Sequence, residues 1–373
     1  MKKKIKNMTS YGKRALASYS IVILAYILVS VLHSAGFVTN SLYGQLVPIC
    51  VYISLAVSLN LVVGISGELS LGHAGFMSVG AFTGVITSAC LQESIVAPMP
   101  RLFIALLVGG LIAGIAGVLI GIPVLRLRGD YLAIVTLAFG EIIRNVLNCL
   151  YIGLDEKGLR FATSAEKLAL NPLDGQVLLN GPMGATGIQK LSTFTAGFVL
   201  VLFTLFIVQN LVNSKQGRAI MAARDNQIAA ESVGLNVTNF KMIAFVTSAT
   251  LAGMAGALFA LNYTTVAPVK FNFNTSILIL VFVVLGGMGN IIGSIISATI
   301  LTILPEALRQ FSDYRMLLYA VVLILVMLAT HNPAFRAVLD RYTGAVTTAL
   351  RKLRPKKKTA AAAAAGKGDA GNE

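Results

Sequence analysis

Long apolar runs separated by short polar segments form the dominant pattern along the chain. A transmembrane α-helix needs about 20 apolar residues to cross the hydrocarbon core of a bilayer. Ten runs approach this length, at about residues 18–37, 43–63, 71–91, 101–122, 130–150, 192–212, 241–262, 275–287, 290–308 and 314–330. The alternating segments of a membrane β-barrel do not occur. The pattern predicts an all-α, polytopic helical membrane protein with about ten transmembrane helices.

Composition excludes a soluble globular domain. Hydrophobic residues make up 56% of the chain and charged residues 12%, whereas soluble domains contain about 25% charged residues. The three cysteines, Cys50, Cys90 and Cys149, lie in apolar runs without metal-ligand spacing. We expect them to be small buried side chains, and we expect no metal site.

The distribution of positive charge predicts the orientation of the chain. The net charge is +15, and 21 of the 30 Lys and Arg residues fall in the N-terminus, the loop with Arg126 and Arg128, the segment from Lys215 to Lys241, and the tail. Basic residues concentrated in one set of loops mark the cytoplasmic side of a membrane protein. We therefore expect both termini in the cytoplasm and interpret the charge as a contact with membrane lipid rather than with nucleic acid.

This orientation divides the chain into segments. The first apolar run follows a basic start, as in a secretory signal, but it is long, and we interpret it as an uncleaved membrane helix. The segments are a basic cytoplasmic N-terminus (1–17), a membrane domain (18–330) and a basic, low-complexity cytoplasmic tail (331–373). Within the membrane domain, 151–191 is a periplasmic loop and 213–240 a cytoplasmic loop.

Glycines at intervals of four predict close helix packing. Gly110 and Gly114 are followed by Gly117 and Gly121, and small residues at this spacing let helix backbones approach closely in lipid. The spacing favours packing within the chain, with dimerisation between subunits as the alternative. A further glycine-rich stretch, LGGMGNIIG, lies between the eighth and ninth runs, where it forms either a tight turn or a break in one longer helix.

Ionisable and amide side chains within apolar runs are candidates for a translocation pathway. The stretch GISGELSLGHAG contributes two of them, and the stretch GEIIRNVLN places four on one face of the fifth helix. The candidates are Glu68, His73, Glu141, Arg144, Asn145 and Asn148. The alternatives are interfacial capping or snorkelling for the first two residues, and a structural Glu141–Arg144 pair for the rest.

The stretch GRAIMAARDNQIAAESVG predicts one or two short helices in the cytoplasmic loop. Alanine favours helix, Asp225 is placed to cap the second helix, and Gly234 is placed to end it. Small side chains beside charged ones favour docking of another protein over insertion into the bilayer surface, which needs bulky apolar residues. The candidate docking residues are Gly217, Arg218, Ala222, Ala223, Arg224, Asp225, Ala229, Ala230, Glu231 and Gly234.

No enzyme motif accompanies this loop. The sequence contains no H-E-x-x-H, no G-x-S-x-G and no G-x-x-x-x-G-K-[ST] phosphate loop. We expect a protein that is not an enzyme, and any ATP that drives it must bind to another polypeptide.

Several stretches together resemble the branched-chain amino acid permeases of the ATP-binding-cassette (ABC) superfamily, in particular the M-type subunits of Liv (leucine/isoleucine/valine) high-affinity uptake systems. They are GISGELSLGHAGFMSVGAFTG, RLRGDYLAIVTLAFGEIIRNV, NGPMGATGI, the loop above with the helix after it, and VVLGGMGNIIG. The resemblance covers about residues 20 to 330.

The resemblance implies an importer in the bacterial inner membrane that pairs this chain with a homologous H-type permease. Two cytoplasmic ATPase subunits would bind ATP and Mg, so that this chain has no cofactor of its own, and a periplasmic binding protein would deliver the amino acid. The 217–234 loop would couple the permease to the ATPases. Importers of urea, other amides or other amino acids share this resemblance, and a stand-alone secondary transporter or a membrane scaffold are alternatives from other classes.

Overall fold

A computed structural model describes residues 10–35, 40–127, 129–155, 158–164, 168, 176–308, 317–318 and 320–324. The chain divides into two units, Met1–Arg315 and Met316–Glu373. The described residues of the second unit are helical. The first unit contains the helices and strands below.

Most described residues are helical. We number the helices α1 (Ser10–Ser34), α2 (Asn40–Asn60), α3 (His73–Cys90), α4 (Pro98–Val124), α5 (Asp130–Asn148), α6 (Phe194–Asn213), α7 (Lys215–Asp225), α8 (Gln227–Ser232), α9 (Val237–Ala260), α10 (Phe273–Gly286) and α11 (Ile291–Ala307). A π-helical segment, Leu61–Ser66, continues α2 directly. The first nine predicted apolar segments each coincide with a helix, and most of the tenth lies outside the described residues.

Among the described residues, four helices are long and apolar enough to cross a membrane. They are Gly44–Ser66, Pro98–Val124, Phe194–Asn213 and Val237–Ala260, and shorter apolar helices cover Ser18–Ser34, Phe273–Gly286 and Ile291–Ala307. The predicted helical membrane protein is confirmed at this level. The eighth and ninth runs are separate helices, because Gly287 and Gly289 adopt positive φ angles of 88° and 80° and make the turn between α10 and α11.

The centre of the bundle is α9, which packs against α3 and α4 through backbone rather than side chains. A Cβ atom added to Gly80 on α3 would overlap the backbone of Gly253 on α9, and one added to Gly256 would overlap the backbone of Met77. A Cβ at Gly109 on α4 would lie 2.9 Å from the carbonyl oxygen of Gly80. Three helices therefore meet where none of them carries a side chain.

The spaced glycines of α4 extend this contact along the helix. A Cβ at Gly114 would lie 2.5 Å from Thr250 Oγ1, one at Gly117 2.7 Å from Ala249 Cβ, and one at Gly121 2.7 Å from Met242 Sδ. All three neighbours belong to α9. The expectation that this spacing packs helices within the chain is confirmed.

The predicted all-α class is incomplete, because the 151–191 segment contains β-structure. Three strands form an antiparallel sheet in the order β2-β1-β3: β1 (Tyr151–Asp155), β2 (Gly158–Ala162) and β3 (Gln176–Asn180). Two further short strands, β4 (Ala185–Thr186) and β5 (Thr265–Val266), also pair antiparallel. Strands this short, one of them contributed by the segment after α9, give too little alternation for the sequence to reveal them.

We expect Gly80→Ala to lower the melting temperature of the protein in detergent. Alanine is intrinsically the better helix former, but its methyl group has no space against Gly253, and overpacking of this kind costs about 1–3 kcal/mol. Gly44→Ala on α2 is the matched control, because nothing lies within 4 Å of its added Cβ. Equal melting temperatures for the two variants would contradict the backbone contact between α3 and α9.

Candidate functional site

Two side-chain caps divide the loop between α6 and α9 into the helices α7 and α8, which together we call the coupling loop (Ser214–Asn236). Ser214 Oγ accepts a hydrogen bond of 3.1 Å from the backbone N–H of Gly217, and Asn226 Oδ1 accepts one of 3.0 Å from that of Ala229. The prediction that Asp225 caps the second helix was wrong by one residue. Asn226 has the extended backbone (φ −154°, ψ 103°) that an N-cap requires, whereas Asp225 still belongs to α7.

The predicted stop at Gly234 is confirmed. Gly234 has φ +87°, its N–H donates to Glu231 O at 2.9 Å, and the N–H of Leu235 donates to Ala230 O at 3.1 Å. A left-handed glycine that satisfies the last carbonyls in this way is a common helix terminus.

The candidate residues of the coupling loop fall into an inner and an outer set. Ala223 and Ala230 are buried with Val237, and Leu235 packs against this cluster. Gly217 is buried as well. The outer, exposed set comprises Arg218, Ala222, Arg224, Asp225, Ala229, Glu231 and Gly234. Two apolar side chains that the sequence did not single out are exposed as well, Ile228 of α8 at 78% and Val233 just after it at 80%.

Arg224 joins the coupling loop to the end of α2. Its Nη1 donates to the carbonyl oxygen of Gly64 at 3.0 Å, and its Nη2 lies 2.8 Å from Asp225 Oδ1. Gly67 has φ +77°, and a Cβ added there would lie 2.5 Å from Arg224 Cγ. The arginine therefore fits a backbone surface that only glycine leaves open.

The π-helical segment contacted by Arg224 is fully buried and also touches the turn between α10 and α11. Asn60 Nδ2 donates to Ser294 Oγ at 2.9 Å, and Asn60 Oδ1 accepts from the N–H of Gly289 at 2.8 Å. A Cβ added to Gly64 would overlap the Gly289 backbone. π-Helical turns within α-helices occur frequently at functional sites.

Glu68 and His73 have different surroundings although they share one glycine-rich stretch. Glu68 forms an ion pair with Lys241 at the start of α9, and the two side chains are 11% and 12% exposed. Lys241 Nζ also lies 3.4 Å from Gln227 Oε1 of α8. His73 is 2% exposed, with its Nε2 3.0 Å from Ser58 Oγ. Glu68 thus lies beside the coupling loop.

The four polar residues of α5 share a face, and the expected Glu141–Arg144 pair is confirmed. Glu141 Oε2 lies 2.6 Å from Arg144 Nη2, and Oε1 accepts a hydrogen bond of 3.2 Å from the N–H of Phe273 at the start of α10. Asn145 is exposed. Arg144 Nε and Asn148 Oδ1 are buried and have no hydrogen-bond partner among the described residues. Glu141 therefore ties α5 to α10, while Arg144 and Asn148 keep unused hydrogen-bonding capacity.

The helix packing and the capped loop define a helical membrane protein with a compact, two-helix projection at one end of its bundle. The model of the family described as branched-chain amino acid transport system permease component matches residues 41–328. The chain belongs to this family.

Relatives with established names are found at several levels of similarity. The chain is 37% identical over 290 residues to the high-affinity branched-chain amino acid transport system permease protein LivM of Salmonella typhimurium, and 36% over 301 residues to LivM of Escherichia coli. In each case the match covers 74% of this chain and 66% of the relative, so the chain spans just under two thirds of their length. The ribose import permease protein RbsC of Escherichia coli is 26% identical, over 82% of this chain and 90% of that protein. No solved structure matches the chain.

We expect Asn60→Ala to destabilise the protein, because it removes the two hydrogen bonds of the buried Asn60 side chain, one donated to Ser294 Oγ and one accepted from the N–H of Gly289. Each such hydrogen bond contributes about 0.5–1.5 kcal/mol to stability. Thermal unfolding in detergent measures the effect, with Asn239→Ala, an exposed asparagine of α9, as the control. A melting temperature unchanged by Asn60→Ala would show that these hydrogen bonds do not hold the turn against α2.

Proposed function

We propose that the chain is the membrane-spanning permease subunit of an ABC importer that moves leucine, isoleucine and valine across the bacterial inner membrane. The observation that carries the proposal is the coupling loop, a projection of two capped helices whose outer face is exposed. Its Gln227 contacts Lys241 of α9, and its Arg224 donates to Gly64 in the π-helical continuation of α2. A rigid loop with one exposed face and fixed contacts to the bundle can transmit a movement of a bound protein to the membrane helices.

The proposed orientation places the coupling loop and both termini in the cytoplasm, with ten helices crossing the membrane and residues 151–191 in the periplasm. Support comes from the concentration of Lys and Arg at the loop and the termini. The small antiparallel sheet at 151–180 then offers a folded surface to a periplasmic binding protein.

The proposed assembly contains an H-type permease, two ATPases and the binding protein. ATP and magnesium bind to the ATPases, and this chain contributes no group to their chemistry. Within the described residues no cluster of three or more His, Cys, Asp or Glu side chains could hold a metal ion.

The outer face of the coupling loop supports docking of an ATPase. Ile228 and Val233 expose apolar surface, and Ala222 and Ala229 leave room for close approach. Apolar anchors surrounded by polar groups such as Arg218 are typical of protein interfaces. These two anchors are the residues on which we expect affinity for the ATPase to depend.

The proposed substrate is chosen by comparing the sequence identity of the chain to relatives named for different substrates. Proteins named for branched-chain amino acid transport reach 36–37% identity, whereas ribose permeases reach 26%. This difference favours branched-chain amino acids over sugars. Urea and other amides stay the alternative substrates, and a transport assay with each compound distinguishes them.

The pathway for the substrate is proposed along the polar face of α5. The carboxylate and ammonium groups of a passing amino acid can bind to Arg144 Nε, Asn148 Oδ1 and the exposed Asn145. The first two atoms are buried and have no hydrogen-bond partner in the described part of the chain. Glu141 positions Arg144 through their ion pair. Glu68 and His73, which the sequence also nominated for the pathway, have buried partners in Lys241 and Ser58, and we assign Glu68 to force transmission instead.

The contacts of the Asn60–Glu68 segment support a route for that transmission. Arg224 holds the segment at Gly64, Lys241 holds it at Glu68, and the same segment touches Gly289 in the turn between α10 and α11. A displacement of the coupling loop therefore acts on α2 and on that turn at once.

The test of the proposed function is copurification in mild detergent followed by uptake in proteoliposomes. We expect Ile228→Asp combined with Val233→Asp to abolish copurification of the ATPases while the protein still accumulates in the membrane. Val96→Asp is the control, because Val96 is 85% exposed and lies in the segment between α3 and α4, away from the coupling loop. ATPases that copurify unchanged with the double variant would overturn the docking surface.

We expect Lys241→Gln to uncouple the transporter, because it leaves Glu68 as a buried charge without its partner. The ATPases should still copurify, but leucine uptake per ATP hydrolysed should fall. Exchange of the two residues (Glu68→Lys with Lys241→Glu) should restore part of the coupling. Normal coupling in Lys241→Gln would show that the ion pair takes no part in force transmission, and equal losses of protein level in both variants would assign the pair a structural role.

A further inference from the structure

Two cavities are lined by residues of the same three helices, α1, α6 and α11. The first also includes Ile65 of the π-helical segment, and the second also includes residues of α2. The cavity near the coupling loop, which we call the polar cavity, has a volume of about 660 Å³. Its walls are about half polar, and their polar residues include Ser18, Gln209, Arg224 and Asn290. The second cavity is an apolar groove of about 280 Å³, lined mainly by aliphatic side chains and by Tyr26.

The two cavities are adjacent along α1 and α11, whereas on α6 the groove ends at Val201 and the polar cavity begins at Gln209. On α1 the polar cavity is lined by Ser18 and the groove from Ile21 to Val29, and on α11 Ile292 of the first is followed by Ile295 of the second. With a rise of about 1.5 Å per residue, the distance from Ser18 to Val29 is about 16 Å. This is about half of the 30 Å hydrocarbon core, the depth of one leaflet.

The polar cavity contains a hydrogen-bond acceptor without a donor. Gln209 is 6% exposed, and its Oε1 has no hydrogen-bond partner among the described residues. Leaving such an oxygen unsatisfied is unfavourable, so a ligand that brings an N–H or O–H group is favoured here. Arg224, whose guanidinium also contacts Gly64 and Asp225, adds positive charge to the same wall.

We propose that these cavities form a binding site for one membrane glycerophospholipid whose headgroup donates hydrogen bonds. An acyl chain occupies the groove, the phosphate faces Arg224, and an ammonium or hydroxyl group of the headgroup donates to Gln209 Oε1. Phosphatidylethanolamine and phosphatidylglycerol meet this requirement. Phosphatidylcholine does not, because its quaternary ammonium has neither an N–H nor an O–H.

The polar cavity next to the groove on α1 and α11 is the argument for a lipid over another occupant. A second apolar groove, of about 380 Å³, lies between α4 and α6 and is lined by Met99, Phe103, Ala196 and neighbouring apolar residues. It has no charged side chain in its lining. Lipid acyl chains can enter both grooves. Only the first groove lies next to polar and charged side chains, so only this groove is expected to select a lipid by its headgroup.

The experiment is native mass spectrometry of the full chain, purified with its partner subunits and incubated with vesicles of either phosphatidylethanolamine or phosphatidylcholine. We expect one retained phosphatidylethanolamine per copy and little phosphatidylcholine. Gln209→Leu should lower this preference about tenfold, the size of one hydrogen bond to a charged donor. Ala25→Phe, which fills the groove, should abolish retention, and Ala196→Phe in the second groove should not.

Equal retention of the two lipids by the unmodified protein would overturn the proposal, as would retention that is unchanged in Ala25→Phe. If Ala25→Phe fails to accumulate in the membrane, the headgroup preference of Gln209→Leu decides, since that change leaves the groove as it is. The readout requires neither ATP nor substrate, so its outcome is independent of the transport function.

Discussion

Contact between helix backbones is the constraint on which the rest of the structure depends. In a lipid-like environment apolar side chains gain little from meeting each other, so helices associate where small residues let them pack closely. Here α9 meets α3 at Gly253 and Gly80, and α4 meets both at Gly109. This core fixes the direction in which α9 begins, and with it the position of Lys241 and of the coupling loop that precedes it.

Polar contacts concentrate where the bundle meets the coupling loop. Asn60, Glu68 and Arg224 each use side-chain atoms to hold backbone or charged groups on another helix. Such groups are expensive to bury without partners, and their geometry is correspondingly restrictive.

Features that are local in sequence could be predicted, and features that join distant segments could not. The apolar runs correctly predicted nine helices, and the i, i+3 spacing correctly predicted the contact between Glu141 and Arg144. Gly234 ended its helix as its residue type suggests. The cap at Asn226 was missed by one residue, because Asp and Asn are nearly equivalent caps and the backbone angles decided between them.

Other parts of the site depend on contacts that no spacing encodes. Glu68 and Lys241 are separated by most of the membrane domain, and their pairing follows from how α2 and α9 pack. Exposure of Ile228 and Val233 depends on which side of α8 faces the bundle. The strands at 151–180 were missed because their pairing, rather than their individual sequences, stabilises them.

The π-helical segment has a consequence for chain length. A helix closed by i→i+5 hydrogen bonds takes up one more residue than an α-helical turn, and one residue corresponds to about 100° of rotation in an α-helix. The π-helical winding of Leu61–Ser66 therefore determines on which side of the helix axis Gly67 and Glu68 lie. A homologue with one residue fewer here and an ordinary α-helix would present the same two residues to Arg224 and Lys241, so length and winding are interchangeable at this point.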